Sequence, residues 1–172
     1  MEHLTLVVSG GEAAADGIVL GVANDSPFRL HYKVICDSSW RVRRAKINLM
    51  DGRRSLSLTS SGEGQWFNEE GAEISALDGC IDIDITATPF TNTLPIHRLA
   101  LEQGESADIK VAYVWIPDLE VESDEQRYTC LEIGADGGKY HFEQIATGFK
   151  ALIQVDADGL VEDYEDLFGR VV

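Results

Sequence analysis

The sequence predicts a mostly β fold of antiparallel strands, curled into a barrel or packed as a sandwich, with at most one or two short helices. Three observations carry this. Asp-Gly dipeptides recur at Asp16-Gly17, Asp51-Gly52, Asp78-Gly79, Asp136-Gly137 and Asp158-Gly159, and such pairs tolerate the positive φ of tight hairpin turns. The run Cys80 to Thr88, CIDIDITAT, alternates apolar and polar residues at the period of two of a half-buried strand. Strand-like and helix-like segments do not alternate regularly, which argues against a parallel α/β architecture.

Taken in order, strands are expected at Leu4 to Val8, Ile18 to Val22 and Arg29 to Cys36, where β-branched and aromatic residues concentrate. Ser9 to Asp16 is rich in small residues and reads as an exposed loop. Ser39 to Leu58 reads as a hairpin, because strand-like KINLM and RRSLSL flank Asp51-Gly52. Asn68 to Leu77 has room for one helical turn. Along CIDIDITAT, Ile81, Ile83 and Ile85 face a core while Asp82, Asp84 and Thr86 form a polar face. Val111 to Ile116, VAYVWI, is apolar on both faces and requires cover on both. Asp118 to Glu125 is acidic and reads as an exposed loop. Further strands fit Gln126 to Ile133, Lys139 to Ile145 and Phe149 to Val155. The end of the chain supports two readings. Leu160, Val161, Tyr164, Leu167 and Phe168 make a helical stripe stopped by Gly169, whereas GLVEDY equally continues the sheet.

Chain length and composition fit one domain over 172 residues, with 44% hydrophobic residues and a single core. Fourteen basic against thirty acidic residues give a formal charge of −16, a field that repels phosphate backbones, so nucleic acid is excluded as a partner. No run approaches the ~20 apolar residues of a membrane span, and no membrane insertion is expected. The N-terminal MEHLTLVVSGG lacks a basic segment before its apolar run, so a cytoplasmic location is expected. Cys36, Cys80 and Cys130 are widely spaced and in no CxxC pair, and read as reduced, buried side chains.

Few residues point to chemistry. Asp82 and Asp84 share one strand face with Cα atoms ~6.5 to 7 Å apart. Three readings are open for them: a solvated face, an ion-pair cluster, or the acid and base of a hydrolase. WRVRR supplies cations for the second reading, with Arg41 and Arg43 on one face and planar forks suited to carboxylates, and Arg98 is a third candidate partner. VDADGLVEDYE resembles a calcium loop only in part, since Gln154 stands at its first position, and it reads as a hairpin turn. The four histidines make no ligand spacing, so neither metal nor cofactor is expected. Trp40, Trp66 and Trp115 are core residues or the wall of a pocket.

The run Leu77 to Leu99, LDGCIDIDITATPFTNTLPIHRL, resembles the signature of a bacterial family known as putative glycolipid-binding proteins. The similarity extends to YKVICDSSWRVRR (Tyr32 to Arg44), GEGQW (Gly62 to Trp66), VAYVWIP (Val111 to Pro117), QRYTCL (Gln126 to Leu131) and GLVEDY (Gly159 to Tyr164). It departs at His97, where a second basic residue often precedes the arginine at Arg98. The resemblance implies an antiparallel sheet curled into an incomplete barrel around a cavity, similar in outline to bacterial lipoprotein and glycolipid carriers. It brings no catalytic residues. Residues matching its motifs are Trp40, Arg41, Arg43, Trp66, Asp82, Asp84, Thr91, Asn92, Thr93, Arg98, Gln126, Arg127 and Tyr128.

The expected function is therefore binding of a glycolipid or other fatty-acyl ligand in the hollow of the sheet, without catalysis. Ligand-binding candidates are Trp40, Arg41, Arg43, Trp66, Asp82, Asp84, Asn92, Thr93, Arg98, Trp115, Arg127 and Tyr128. Two alternatives stand beside it, a hydrolase using Asp82 or Asp84 and a non-binding homodimeric scaffold.

Overall fold

The computed structural model describes residues 1–23, 25–52 and 54–171; Arg53, within the expected hairpin, lies outside the described residues. Strands β1 (Glu2–Ser9), β2 (Glu12–Ala23), β3 (Ser26–Asp37), β4 (Val42–Leu49), β5 (Ser55–Ser60) and β6 (Trp66–Phe67) form a six-stranded antiparallel meander, sheet A. The hairpin expected between Ser39 and Leu58 is β4 and β5, with Asn48 opposite Ser55 and Gly52 at φ +77° in the turn. The stretch Ser9 to Asp16 is not a loop: Ser9 pairs with Glu12, and the alanines that made it look open lie in β2, where Ala13 and Ala15 are buried.

Sheet B, a curled half-barrel, has seven strands: β7 (Asp82–Ile85), β8 (Ser106–Trp115), β9 (Glu120–Gly134), β10 (Gly137–Gln144), β11 (Phe149–Asp156), β12 (Val161–Tyr164) and β13 (Phe168–Gly169). Strands β8 to β13 pair antiparallel in sequence order, whereas β7 runs parallel to β8. Parallel neighbours require a crossover. Here it carries a 3₁₀ turn, Pro89–Asn92, and the helix α1, Thr93–Leu99. The helix therefore arises in TPFTNTLPIHRL and not at the chain end. Thr88 caps the 3₁₀ turn through Oγ1, and Pro89 begins it, where no backbone N–H is missed. A second 3₁₀ turn, Ser75–Leu77, fills the expected single turn.

One further expectation fails, and at the chain end the sheet reading holds over the helical one. The acidic segment read as a loop is the start of β9: alternation turns Val121 and Ser123 toward the first core and leaves Glu122 and Asp124 on the opposite face. At the chain end the helical stripe is a hairpin. Tyr164 pairs with Phe168 across β12 and β13, so residues four apart share a face exactly as a helix turn would have them, and a two-residue strand suffices. The VAYVWI strand is covered on both faces through Val111, Ala112 and Val114, but at its end Trp115 is exposed and donates its Nε1–H to Glu122 at 2.8 Å.

Apolar side chains collect in two cores. One lies beneath sheet A and includes Leu30, Ile47 and Leu58 with Ile83, Ile85 and Leu94; the other fills the curl of sheet B with Tyr128, Phe142, Ile153 and Tyr164. Helix α1 serves both, Leu94 toward the first and Ile96 toward the second.

Four of the five Asp-Gly pairs mark turns or bends with glycine at positive φ, but Asp16-Gly17 lies inside β2. Gly17 pairs with Tyr32, whose ring crosses the space a side chain would take; an added Cβ would meet ring carbons at 2.3 Å. Gly17→Ala forces the fully buried Tyr32 to move, an overpacking that typically costs about 1–3 kcal/mol. The urea midpoint of the variant should fall accordingly, and an unchanged midpoint would contradict this role for Gly17.

Candidate functional site

Strand β7 determines the site. Its isoleucines Ile83 and Ile85 enter the first core, as the alternation requires, and its two carboxylates turn into the curl of sheet B. The parallel crossover then lays the 3₁₀ turn and α1 over them. The polar face is consequently buried, not solvated: Asp82 is wholly inaccessible, and Asp84 is partly covered.

Asp82 is held by Arg98 from the last turn of α1. Arg98 donates Nη2–H to Oδ2 at 2.6 Å and Nε–H to both oxygens at 3.0 and 3.1 Å, a forked ion pair with the arginine side chain only 15% exposed. Burial raises the Asp82 carboxyl above the ordinary carboxylate range, and the guanidinium opposes that rise. Asp84 has a different environment. Thr91 donates to its Oδ1 at 3.0 Å and Gln126 Nε2 to its Oδ2 at 2.8 Å, and no cation lies on it among the described residues. Burial raises its carboxyl too, with Asp124 adding to the rise while the Gln126 and Thr91 hydrogen bonds hold it back.

Around this pair the 3₁₀ turn and α1 form a plug that is tied to the sheet by side chains. Tyr128 donates to Asn92 Oδ1 at 2.8 Å, and Asn92 Nδ2 donates to the Pro89 carbonyl. Gln126 also donates to Asp124 at 3.2 Å, which accepts from Gln144 as well. Thr88 and Tyr32 both donate to Glu2, at 2.7 and 2.6 Å, linking sheet A to the crossover. Two buried acceptor-capable atoms, Thr93 Oγ1 and Gln126 Oε1, have no partner among the described residues.

The fold thus brings together Asp82, Asp84, Thr91, Asn92, Thr93, Arg98, Gln126 and Tyr128. The other residues singled out in the sequence lie elsewhere. Arg41 pairs with Glu63 and Arg43 with Asp37 at exposed positions, so neither reaches the carboxylates. Arg127 pairs with Asp108 across β9 and β8 on the exposed face. Trp66 is buried and donates its Nε1–H to the Cys80 carbonyl at 2.6 Å; Trp40 stacks on His97, with ring centres 3.9 Å apart and planes 3° from parallel. His97 Nε2 lies 2.8 Å from the Asp158 carbonyl. The Asp156 carboxylate, considered for calcium, accepts from the backbone N–H of Asp158 and Leu160 and pairs with Arg170, which is the chemistry of a turn. All three cysteines are buried and unbridged, and burial pushes the Cys36 thiol up to about 12.

Two hollows open beside the plug. At its Arg98 end is a cleft of about 500 Å³ walled by Ile81, Leu99, Ile109 and Ile145, with Lys110 and Glu125 also lining it. At its Asn92 end lies a smaller hollow of about 90 Å³, lined by Asp84, Tyr113, Phe142, Phe149, Tyr164 and Phe168 among others. None of the three tryptophans lines either one. Most of these walls were missed in the sequence. The period-two rings Tyr140 and Phe142 in KYHFEQ signal an aromatic strand face, but Tyr164 and Phe168 lie where helix and sheet are both open, Ile145 ends an ordinary strand, and Ile109 lies outside the strand expected from Val111.

Two expectations follow. Arg98→Ala leaves the Asp82 charge buried and unpaired, and should cost about 3–5 kcal/mol in denaturant unfolding, whereas Arg43→Ala, breaking an exposed pair, should cost about 1 kcal/mol or less. Equal, small losses would show that the pair does not support the plug. The second concerns pH. Because the Asp84 carboxyl binds its proton more tightly folded than unfolded, it favours the folded state below the ordinary carboxylate range, and that contribution is lost as pH rises through its raised value. Asp84→Asn should therefore gain stability relative to wild type as pH increases across this window. A gap that is constant or narrows with pH would contradict the assignment.

No curated protein matches the chain. A crystal structure of a DUF1089 family protein from Pseudomonas aeruginosa, at 1.80 Å resolution, superposes with a TM-score of 0.83 and 36% identity, covering 99% of this chain and 92% of that one. The family model described as "Putative glycolipid-binding" matches residues 1–170. Among the described residues no helix is long and apolar enough to cross a membrane. With nearly its whole length matched, the chain belongs to the Putative glycolipid-binding family.

Proposed function

We propose that the protein binds an amphiphile of the glycolipid class, its acyl portion in the cleft beside Arg98. The observation that carries this is the wall of that cleft. Ile81, Leu99, Ile109 and Ile145 come from four separate segments and present aliphatic surface without an aromatic ring. The volume, about 500 Å³, falls within the roughly 300–1,000 Å³ of small-molecule sites. Arg98 uses Nε and Nη2 on Asp82, so its Nη1 and the Lys110 ammonium are the donors this lining offers a polar head. The family description is of the same kind as this reading. A role for Asp82 as acid or base has little support, since both its oxygens are taken by Arg98 and it is closed to water. The formal charge of −16 disfavours strongly anionic heads, so neutral glycolipids should bind at least as well as phospholipids at low salt.

The test is calorimetric titration of delipidated protein with octyl glucoside, octanoate and glucose, each below its aggregation threshold, with native mass spectrometry of protein as purified. Octyl glucoside should bind saturably and glucose should not. Ile145→Trp, at a rim position 37% exposed, should obstruct the cleft and weaken octyl glucoside at least tenfold without loss of fold. Binding of glucose alone, or affinity unaffected by Ile145→Trp, would overturn the acyl assignment. A clean dimer with neither adduct nor binding would favour the scaffold.

A further inference from the structure

The second hollow has a different chemistry from the first. Its walls are aromatic: Tyr113 on β8, Phe142 on β10, Phe149 on β11, Tyr164 on β12 and Phe168 on β13. Phe142 packs edge-on against Tyr164 with ring centres 6.0 Å apart and tilted against Phe149 at 6.2 Å, and Tyr164 meets Phe168 at 6.1 Å, so the rings form one continuous lining. Asp84 lines the same hollow. Its carboxylate is hydrogen-bonded by two neutral groups and has no cation among the described residues; Arg98, on the same plug, is committed to Asp82.

The polar groups of the hollow bear on the charge it would accept. The side-chain amides here already donate inward, Gln126 to Asp84 and Asp124, Gln144 to Asp124, and Asn92 to the Pro89 carbonyl. Thr88 donates to Glu2. Beside them the Tyr113 and Tyr164 hydroxyls, which can donate or accept, and the Asp84 carboxylate, which can only accept when ionised, line the hollow. An anion would have to sit against that carboxylate, whereas a cation would find it a counter-charge. Aromatic faces carry negative quadrupole potential and attract cations, most strongly where water is excluded. The space, about 90 Å³, is a fraction of the about 500 Å³ of the cleft at the Arg98 end. It suits a compact head better than an acyl chain.

We propose that the aromatic hollow over Asp84 binds an organic ammonium group, methylated or primary, with the Asp84 carboxylate as its counter-charge. The group belongs either to a free amine or to the head of an amine-bearing lipid, since both present the same chemistry. This site stands apart from the acyl cleft: the two share no lining residue and lie at opposite ends of the plug, Asn92 at one and Arg98 at the other. Neither assignment depends on the other.

The probes are tetramethylammonium, choline and short-chain phosphatidylcholine below its aggregation threshold, with sodium chloride at matched ionic strength and glucose as controls, each titrated into the full-length protein by calorimetry and by ligand-observed NMR. The ammonium compounds should bind saturably, sodium and glucose should not, and Asp84→Asn should weaken tetramethylammonium at least tenfold. Phe168→Ala opens the cage at an edge strand, where folding is least at risk, and should weaken it several-fold. If phosphatidylcholine binds more tightly than choline, the source is a lipid head; if the two match, it is a free amine. No saturable binding of any ammonium compound, binding of glucose instead, or the same tetramethylammonium affinity in wild type and in both variants would overturn the proposal.

Discussion

A carboxylate shut away from water must find a cation or lose its charge, and in this molecule that requirement organises the centre of the fold. Asp82 stands on the short strand β7, which pairs parallel with β8 and so needs a crossover to reach it. The crossover brings α1 across the strand, and Arg98 at the end of α1 closes the pair with Asp82 through a two-nitrogen fork. An ion pair of this kind is not in itself a large source of stability, because desolvation offsets much of the attraction. What it supplies is position. A displacement of α1 along β7 would separate the charges inside the protein, so the pair fixes where the plug sits, and the plug in turn divides the interior of sheet B into two hollows of unlike character.

The same position explains why the neighbouring carboxylate is available for something else. Asp82 and Asp84 are chemically identical and two residues apart, yet one end of the plug offers an arginine and the other offers a threonine, joined by a glutamine from the sheet. Buried polar networks are costly when partly satisfied. Gln126 illustrates this directly: its nitrogen serves two carboxylates while its oxygen, fully buried, serves none among the described residues. A fold needing only stability would do better with apolar side chains at these positions.

Much of the architecture was legible in the sequence because strands and turns are local. Alternation at Cys80 to Thr88 placed Ile83 and Ile85 in the core, though Ile81 lines the cleft instead, and Asp51-Gly52 marked its hairpin. What the sequence could not show was what covers the other face. The polar side of β7 looked solvated, because an alternating pattern carries no information on whether a later segment folds back across it. The arginine that pairs with Asp82 was among those considered, but Arg41 and Arg43 were equally plausible until the topology put them at exposed positions with Glu63 and Asp37. The chain end stays open between helix and sheet for a geometric reason: the Tyr164 to Phe168 spacing belongs to a helix turn and to a tight hairpin alike. The binding walls were least visible, since each contributes one residue per strand and no window of sequence contains them together.

The sequential order of the strands has a consequence for how the molecule forms. Both meanders, β1 to β6 and β8 to β13, join neighbours in the chain, so their contacts close through short loops at small entropic expense. The crossover is different. Thr88 meets Glu2 across 86 residues of chain, and Gln126 meets Asp84 across 42. Non-local contacts of this range carry a larger loop-closure cost, which grows slowly with the chain they enclose. The meanders are thus built from local contacts, whereas the plug takes its partners from distant parts of the chain and joins the sheets together with the shared first core and the Arg54 to Pro117 bond. Without those distant contacts the carboxylates of β7 would have no cover, and the hollows at either end of the plug would lack a wall.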